Sequence, residues 1–249
     1  MPGLPVMLRL DGKSFSNFTR GLKRPFDKRL TDIMIATTKF LVEETNAVIG
    51  YCQSDEISLV LYTEDHNTQL FFDGRIQKLT SVVASMATAF FNRELPVCLP
   101  EKADKIAYFD CRVWNVPSLV EAANTLIWRE LDATKNAISM AAQHYYSHKE
   151  LHEKNGSEKQ EMLFAKGVNF NDYPSFFKRG SYVRRVHKLV KFSIDELARL
   201  PEKHEARRNP DLVYERSVVE RVELPPMTKV VNKVDVFFNG ADPITKEIV

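Results

Sequence analysis

The chain has no apolar run of eighteen or more residues, so the sequence offers no membrane-spanning helix. The N-terminus carries no signal-peptide pattern. Cysteine is scarce. Cys52, Cys98 and Cys111 stand far apart with no Cys-x-x-Cys pair, which predicts free thiols in a reducing cytoplasm rather than a disulfide framework. A dominant charge is lacking too: the formal net charge is only +2, so bulk charge alone does not point to nucleic acid. Neither a Gly-x-Ser-x-Gly elbow nor a Walker loop is present, and neither internal repeats nor a low-complexity linker divides the chain. What remains is an ordinary soluble composition, 44% hydrophobic and 27% charged over 249 residues. That length suffices for one large domain or two small ones. Basic residues gather in two places, Arg20 to Arg29 and Lys178 to Lys191, as a phosphate-binding surface or a solvated face would require.

Apolar runs at Val6–Leu10, Ala47–Cys52, Ile57–Tyr62 and Ile106–Phe109 read as strands. Between them, Leu30 to Leu41 and Ile76 to Phe91 repeat at helical spacing, with Asp27 as the N-cap of the first helix. The order β-α-β-β-α-β predicts an α/β (α+β) protein with a ferredoxin-like palm. The crossover rule makes the first two strands parallel, with the third between them and antiparallel to both. Beyond Pro117 the pattern turns mainly helical, over 119–129, 132–146 and 157–165, with strands near 182–190 and 212–224. This predicts a palm-like domain over residues 1–131 and a mainly helical C-terminal domain over 132–249.

Asp11, with Gly12, ends the first strand, and Asp55 lies in the turn that opens the third. Neighbouring strands are about 4.8 Å apart, so both carboxylates can reach the same ions. Magnesium prefers oxygen ligands, and paired magnesium ions in such sites lie roughly 3.5–4 Å apart. Gly12 would offer a carbonyl, and the N–H groups of Lys13, Ser14 and Phe15 would cradle phosphate oxygens. On spacing alone, Asp-Gly is also a common turn, and Asp55 can serve only its own hairpin. His144, His148 and His152 recur every four residues and would share a face on one continuous helix. No cysteine or carboxylate completes a zinc set with them, and a polar helical face is the preferred reading.

Several ordered motifs carry a resemblance: Arg-Leu-Asp-Gly-Lys-Ser-Phe at 9–15, Arg-Pro-Phe-Asp at 24–27 and Gln-Ser-Asp-Glu at 53–56. Phe-Asp-Cys-Arg at 109–112, Trp-Arg-Glu-Leu-Asp at 128–132, Glu158 to Phe164 and Lys-Arg-Gly at 178–180 follow in order. Together they resemble the tRNA-histidine guanylyltransferase superfamily, over nearly the whole chain to about residue 190. The resemblance implies a palm that extends tRNA at its 5′ end, in the 3′–5′ direction, after ATP activates a 5′-monophosphate. It implies two Mg2+ ions on Asp11, the Gly12 carbonyl and Asp55. ATP and GTP, or other nucleoside triphosphates, are the substrates. Lys13, Ser14 and Phe15 would contact the triphosphate, and Lys23, Arg24 and Ser54 would bind or activate phosphate. Arg112, Asn136, Lys159, Lys178 and Arg179 become candidates for tRNA or 5′-phosphate contacts. A cytoplasmic homotetramer is implied as well.

Thr134-Lys135-Asn136-Ala137 stand where enzymes that act on histidine tRNA carry His-Ile-Asn-Asn, and Ser16 stands where many members have histidine. The first change is similar to the guanylyltransferase-like branch of bacteria and archaea, which implies templated repair of 5′-truncated tRNA. Addition of one guanylate to histidine tRNA is the alternative. A nucleotide cyclase and a non-enzymatic RNA-binding protein are rivals of other classes.

Overall fold

One six-stranded sheet, ordered β4-β1-β3-β2-β5-β6 and antiparallel at every junction, carries the chain. Its strands are β1 (Val6–Gly12), β2 (Ile49–Gln53), β3 (Glu56–Leu61), β4 (Phe109–Asn115), β5 (Ser181–Lys191) and β6 (Val213–Val222). The computed structural model describes residues 3–65, 67–209 and 211–246. The helices are α1 (Phe15–Phe18), α2 (Lys28–Thr45), α3 (Ile76–Cys98), α4 (Leu119–Tyr145), α5 (His148–Leu151), α6 (Gly156–Ala165), α7 (Ser175–Arg179), α8 (Ile194–Arg199) and α9 (Glu205–Arg208). The first four strands keep the expected ferredoxin-like order, with β3 between β1 and β2.

Every residue of β3 is buried, so its strict alternation feeds two cores. Ile57 and Leu59, with Leu8 and Leu10 of β1, pack beneath α2 and α3 against Ile33, Leu41, Val83 and Phe91. Met7 and Val60 face the other way, towards Ala123, Leu126 and Ile127 of α4 and towards Phe237. Arg9 and Asp11 follow Met7 at two-residue spacing and therefore point to the α4 side. Asp27 caps α2 as expected, its side chain accepting from the Arg29 amide. Ser118 caps α4 by accepting from the Glu121 amide.

Two readings change. The fourth strand runs over Phe109–Asn115, not 106–109. Ile106 is 62% exposed, while Ala107 is held at both its amide and its carbonyl by Asn92. As an edge strand, β4 tolerates the exposed Asp110 and Arg112 that hid it in the sequence. Secondly, the helices expected over 119–129 and 132–146 join into one, α4, which ends at Tyr145, and residue 131 falls inside it. Glu130, in the gap between the two expected helices, is buried and accepts from Tyr182 and the Met227 amide. The strands expected near 182–190 and 212–224 form as β5 and β6, the two longest, and β5 continues the palm sheet by pairing with β2. The histidine row does not form. α4 ends at Tyr145, Tyr146 is extended, and His148 opens a separate short helix. Among the described residues no group of three or more His, Cys, Asp or Glu converges as a metal site.

Candidate active site

The sheet edge brings Asp11 and Asp55 together through the main chain. The Gly12 amide donates to the Asp55 carbonyl at 3.1 Å, and Asp11 pairs in register with Glu56 on one side and Asp110 on the other. Ser54, with φ +53°, turns the chain between β2 and β3 and presents Asp55. Burial, helped by the neighbouring Asp11 carboxylate, holds the Asp55 carboxyl above the usual carboxylate range. Two acidic oxygens in a partly desolvated corner suit a hard cation better than each other.

The loop after Gly12 is shaped by one aromatic ring. Phe15 packs on Phe18, Phe91 and Phe109, with ring centroids 5.0, 5.7 and 5.3 Å away. A Cβ on Gly12 would lie 2.2 Å from the Phe15 ring, so only glycine fits there. Gly12→Ala is expected to cost about 1–3 kcal/mol in thermal unfolding, the usual range for overpacking a filled core. It should lower nucleotide binding with it. A melting curve and nucleotide titration matching wild type would remove this role for the ring. Lys13 spends its amide on the Tyr108 carbonyl at 2.8 Å. Ser14 adopts φ +56° and opens α1. Among the described residues, the amides of Ser14 and Phe15 have no acceptor, so they are the donors left for phosphate.

Two clefts flank the Ser54–Asp55 turn. One, of about 1230 Å³, is lined by Ser14, Phe15, Thr19, Lys23, Arg24, Asp27 and Asp55. The other, of about 750 Å³, is lined by Arg9, Asp11, Asp55, Glu56, Arg129, Asp132 and Asn136. Ser54, Asp55 and Met140 belong to both. Lys23 and Arg24 have no ion-pair partner among the described residues, which leaves two cations open to the first cleft. Its floor continues into an apolar pocket of Phe26, Leu30, Met34, Phe176 and Phe177, a surface fit for a base. The loop over this cleft is fastened from outside. Lys102 donates to the Arg20 carbonyl at 2.6 Å, and Arg29 bridges Asp27 and Glu101.

The remaining sequence candidates divide. Asn136 lines the second cleft, and Lys159 donates to Ser139 at its margin at 3.1 Å. Arg112 is exposed on β4, opposite Arg9. Lys178 and Arg179 line neither cleft. Lys178 donates to the Asn171 carbonyl, and Arg179 lies in a small recess with Ser181 and Arg221.

Sequence reading gave no role to the ion-pair network behind the second cleft. Arg129 grips Glu56 with two bonds of 2.6 Å and reaches Asp132 at 3.0 Å; Arg9 takes Glu56 from the other side at 2.5 Å. The signal was there, since Glu56 and Arg129 both fall within the quoted motifs, but nothing in their spacing pairs residues so far apart.

Residues 1–117 match the protein family described as "Thg1: tRNAHis guanylyltransferase". The tRNA(His) guanylyltransferase of Neurospora crassa is 30% identical over 207 residues, 76% of this chain and 69% of the relative. That of Saccharomyces cerevisiae is 30% identical over 219 residues, 79% of this chain and 91% of the relative. Among solved structures, a bacterial tRNA(His) guanylyltransferase (Thg1)-like protein in complex with ATP is 40% identical, with TM-score 0.71 over 74% of this chain and 81% of that one. One in complex with GTP is 32% identical, with TM-score 0.69 over 92% and 87%. A palm edge with paired aspartates, ordered motifs and this likeness agree: the chain belongs to the tRNAHis guanylyltransferase (Thg1) family and sides with its Thg1-like branch.

Proposed function

We propose that this protein is a magnesium-dependent 3′–5′ nucleotidyltransferase that restores missing nucleotides at the 5′ end of tRNA. The observation that carries the reading is the Asp11–Asp55 pair, joined through the Gly12 amide and set between two clefts. The complexes of Thg1-like proteins with ATP and with GTP support nucleoside triphosphates as substrates. Asp11, Asp55 and the Gly12 carbonyl fit magnesium by donor type, and a cation would offset the burial and the neighbouring Asp11 charge that keep the Asp55 carboxyl raised. Bound there, two Mg2+ ions would ease deprotonation of the attacking 3′-hydroxyl and neutralise the triphosphate.

In this reading the free amides of Ser14 and Phe15 bind phosphate oxygens, with Ser54 at the shared wall. Lys23 and Arg24 meet the charge on the activating nucleotide. Arg24 adds a planar fork where a lysine would give a point charge. Asn136, Lys159 and Arg112 hold the RNA end beside the second cleft. Free Cys52, Cys98 and Cys111 suit a reducing cytoplasm. A homotetramer is the proposed assembly, and light scattering on the purified protein decides it.

Addition of a single guanylate is the second reading, favoured by the names of the curated relatives. Thr134 to Ala137 favour repair. The deciding assay offers magnesium, ATP and all four triphosphates with a tRNA lacking its first nucleotide, varied at the opposing base. Growth by one nucleotide that follows the opposing base is expected. Guanylate added regardless of that base establishes the second reading. No growth, with RNA bound, leaves a non-enzymatic RNA binder; cyclic nucleotide formed without RNA makes it a cyclase.

A further inference from the structure

We propose that Trp128 is a stacking platform for an unpaired base of the bound RNA, at the rim of the second cleft. The inference rests on the reading of the protein as one that acts on an RNA end.

Trp128 is 60% exposed, although it stands mid-helix among residues that α4 buries. One side of the indole is taken. The Arg129 guanidinium lies over the ring, 5.0 Å from its centroid. That guanidinium cannot swing away freely, because Glu56 holds it with two bonds and Asp132 with a third. The cation therefore stays seated on the indole, and more than half of Trp128 remains open to solvent. A rigid indole with one open face is what sequence-tolerant base stacking uses, and cation–π contacts strengthen such stacks.

Its position favours RNA over another occupant. Asp132 is the i+4 neighbour of Trp128 on α4 and lines the cleft with Asp11 and Asp55. Exposed Arg112 on β4 faces Arg9 on β1 and offers a phosphate contact on this side of the sheet, while Arg9 and Arg129, the latter against the indole, are both committed to Glu56. A phosphate held by Arg112 would bring a neighbouring base towards the indole. Paired bases in a helix expose no free face along its length, so the base must be unpaired, as in a single-stranded overhang beside the 5′ end.

The sequence has two tryptophans, Trp114 and Trp128, so Trp114→Phe leaves emission from Trp128 alone. This protein is titrated, without triphosphates, with a short hairpin RNA carrying a single-stranded 3′ overhang. A second hairpin has the same phosphates but abasic overhang sugars. Quenching by the first hairpin and not by the second is expected. Trp128→Ala should weaken binding of the first hairpin on the order of tenfold and leave the second unchanged, with the same salt slope. Trp128→Phe should recover most of the loss. Equal affinities for all variants, or Trp128 emission indifferent to RNA, would overturn the proposal. So would a salt slope that drops in Trp128→Ala, since that marks a displaced arginine. Quenching that grows with protein concentration in the absence of RNA would instead give the face to a second copy of the chain. Failure of wild type to extend the hairpin with magnesium and triphosphates counts against the proposed function alone, because these titrations need no turnover.

Discussion

Asp55→Asn is expected to lose nucleotide transfer on the order of a thousandfold or more and, in metal-free buffer at neutral pH, to raise the thermal midpoint above that of wild type. The two effects have one cause. Asp55 is a carboxylate that the fold holds at a disadvantage, first by burial and then by the Asp11 charge beside it. Its folded-state carboxyl titrates above its unfolded value, so the folded state keeps the proton longer. The stabilising contribution is therefore full below the unfolded carboxylate range, near 3.9, and is lost as pH rises through the folded value. At neutral pH the wild-type protein carries the uncompensated charge, while asparagine mimics the protonated form. Magnesium should narrow the difference by stabilising wild type alone, through linkage to the folded state. Transfer should fall on the order of a thousandfold or more, since several kcal/mol of charge stabilisation disappear with the ligand. Asp11→Ala should match this loss. Paired melts with and without magnesium, and single-turnover extension of a 5′-truncated tRNA, make the check. Near wild-type turnover in either variant would sink the assignment of the pair. An unchanged midpoint for Asp55→Asn would mean that the charge is already balanced by groups other than a cation.

The part of this site that was legible in the sequence is the part that local pattern and strand order dictate. Three apolar runs placed Asp11 and Asp55 at adjacent ends of antiparallel strands, because a β-α-β crossover makes β1 and β2 parallel with room for β3 between them. Asp27 announced α2 by its position before the first apolar turn. What stayed hidden depends on distant partners. β4 was misplaced because an edge strand need not be apolar on both faces, and Asp110 and Arg112 broke the run. α4 was split at 130–131 because a buried carboxylate, here Glu130, looks like a surface one until Tyr182 and the Met227 amide are seen to satisfy it. Gly12 was read as a close approach to a metal, and the structure adds the Phe15 ring as a steric demand on the same position. Lys13 was read as a cradle amide, but its N–H belongs to Tyr108. In each case the missing fact was a tertiary partner, not a local preference.

Glu56→Gln is expected to lower stability by about 3–5 kcal/mol, the range for breaking a buried ion pair by removing one partner. Glu56 and Arg129 side chains are each only 9% exposed, so water cannot replace the lost contact. Both arginines lose their shared anion. Arg129 keeps the half-exposed Asp132, whereas Arg9 loses its only anionic partner among the described residues and already buries an Nε without an acceptor. For a chain of this size that corresponds to a fall in midpoint on the order of 10 °C. Arg129→Lys should cost less, because Glu56 retains Arg9 and the charge remains; what goes is the two-point grip that ties α4 to the start of β3. That grip also sets the distance between the carboxylates on the sheet edge and Asp132, Asn136 and Ser139 on α4. Arg129→Lys should therefore lose transfer activity out of proportion to its stability. Loosening one wall of a cleft misplaces the bound end, and misplacement of about 1 Å can cost on the order of a hundredfold. Urea unfolding of both variants, with extension kinetics at a temperature where each is folded, separates the two effects. Glu56→Gln with a wild-type midpoint would mean that α4 is held by its apolar face alone. Arg129→Lys with wild-type kcat but lower stability would confine the network to a structural role.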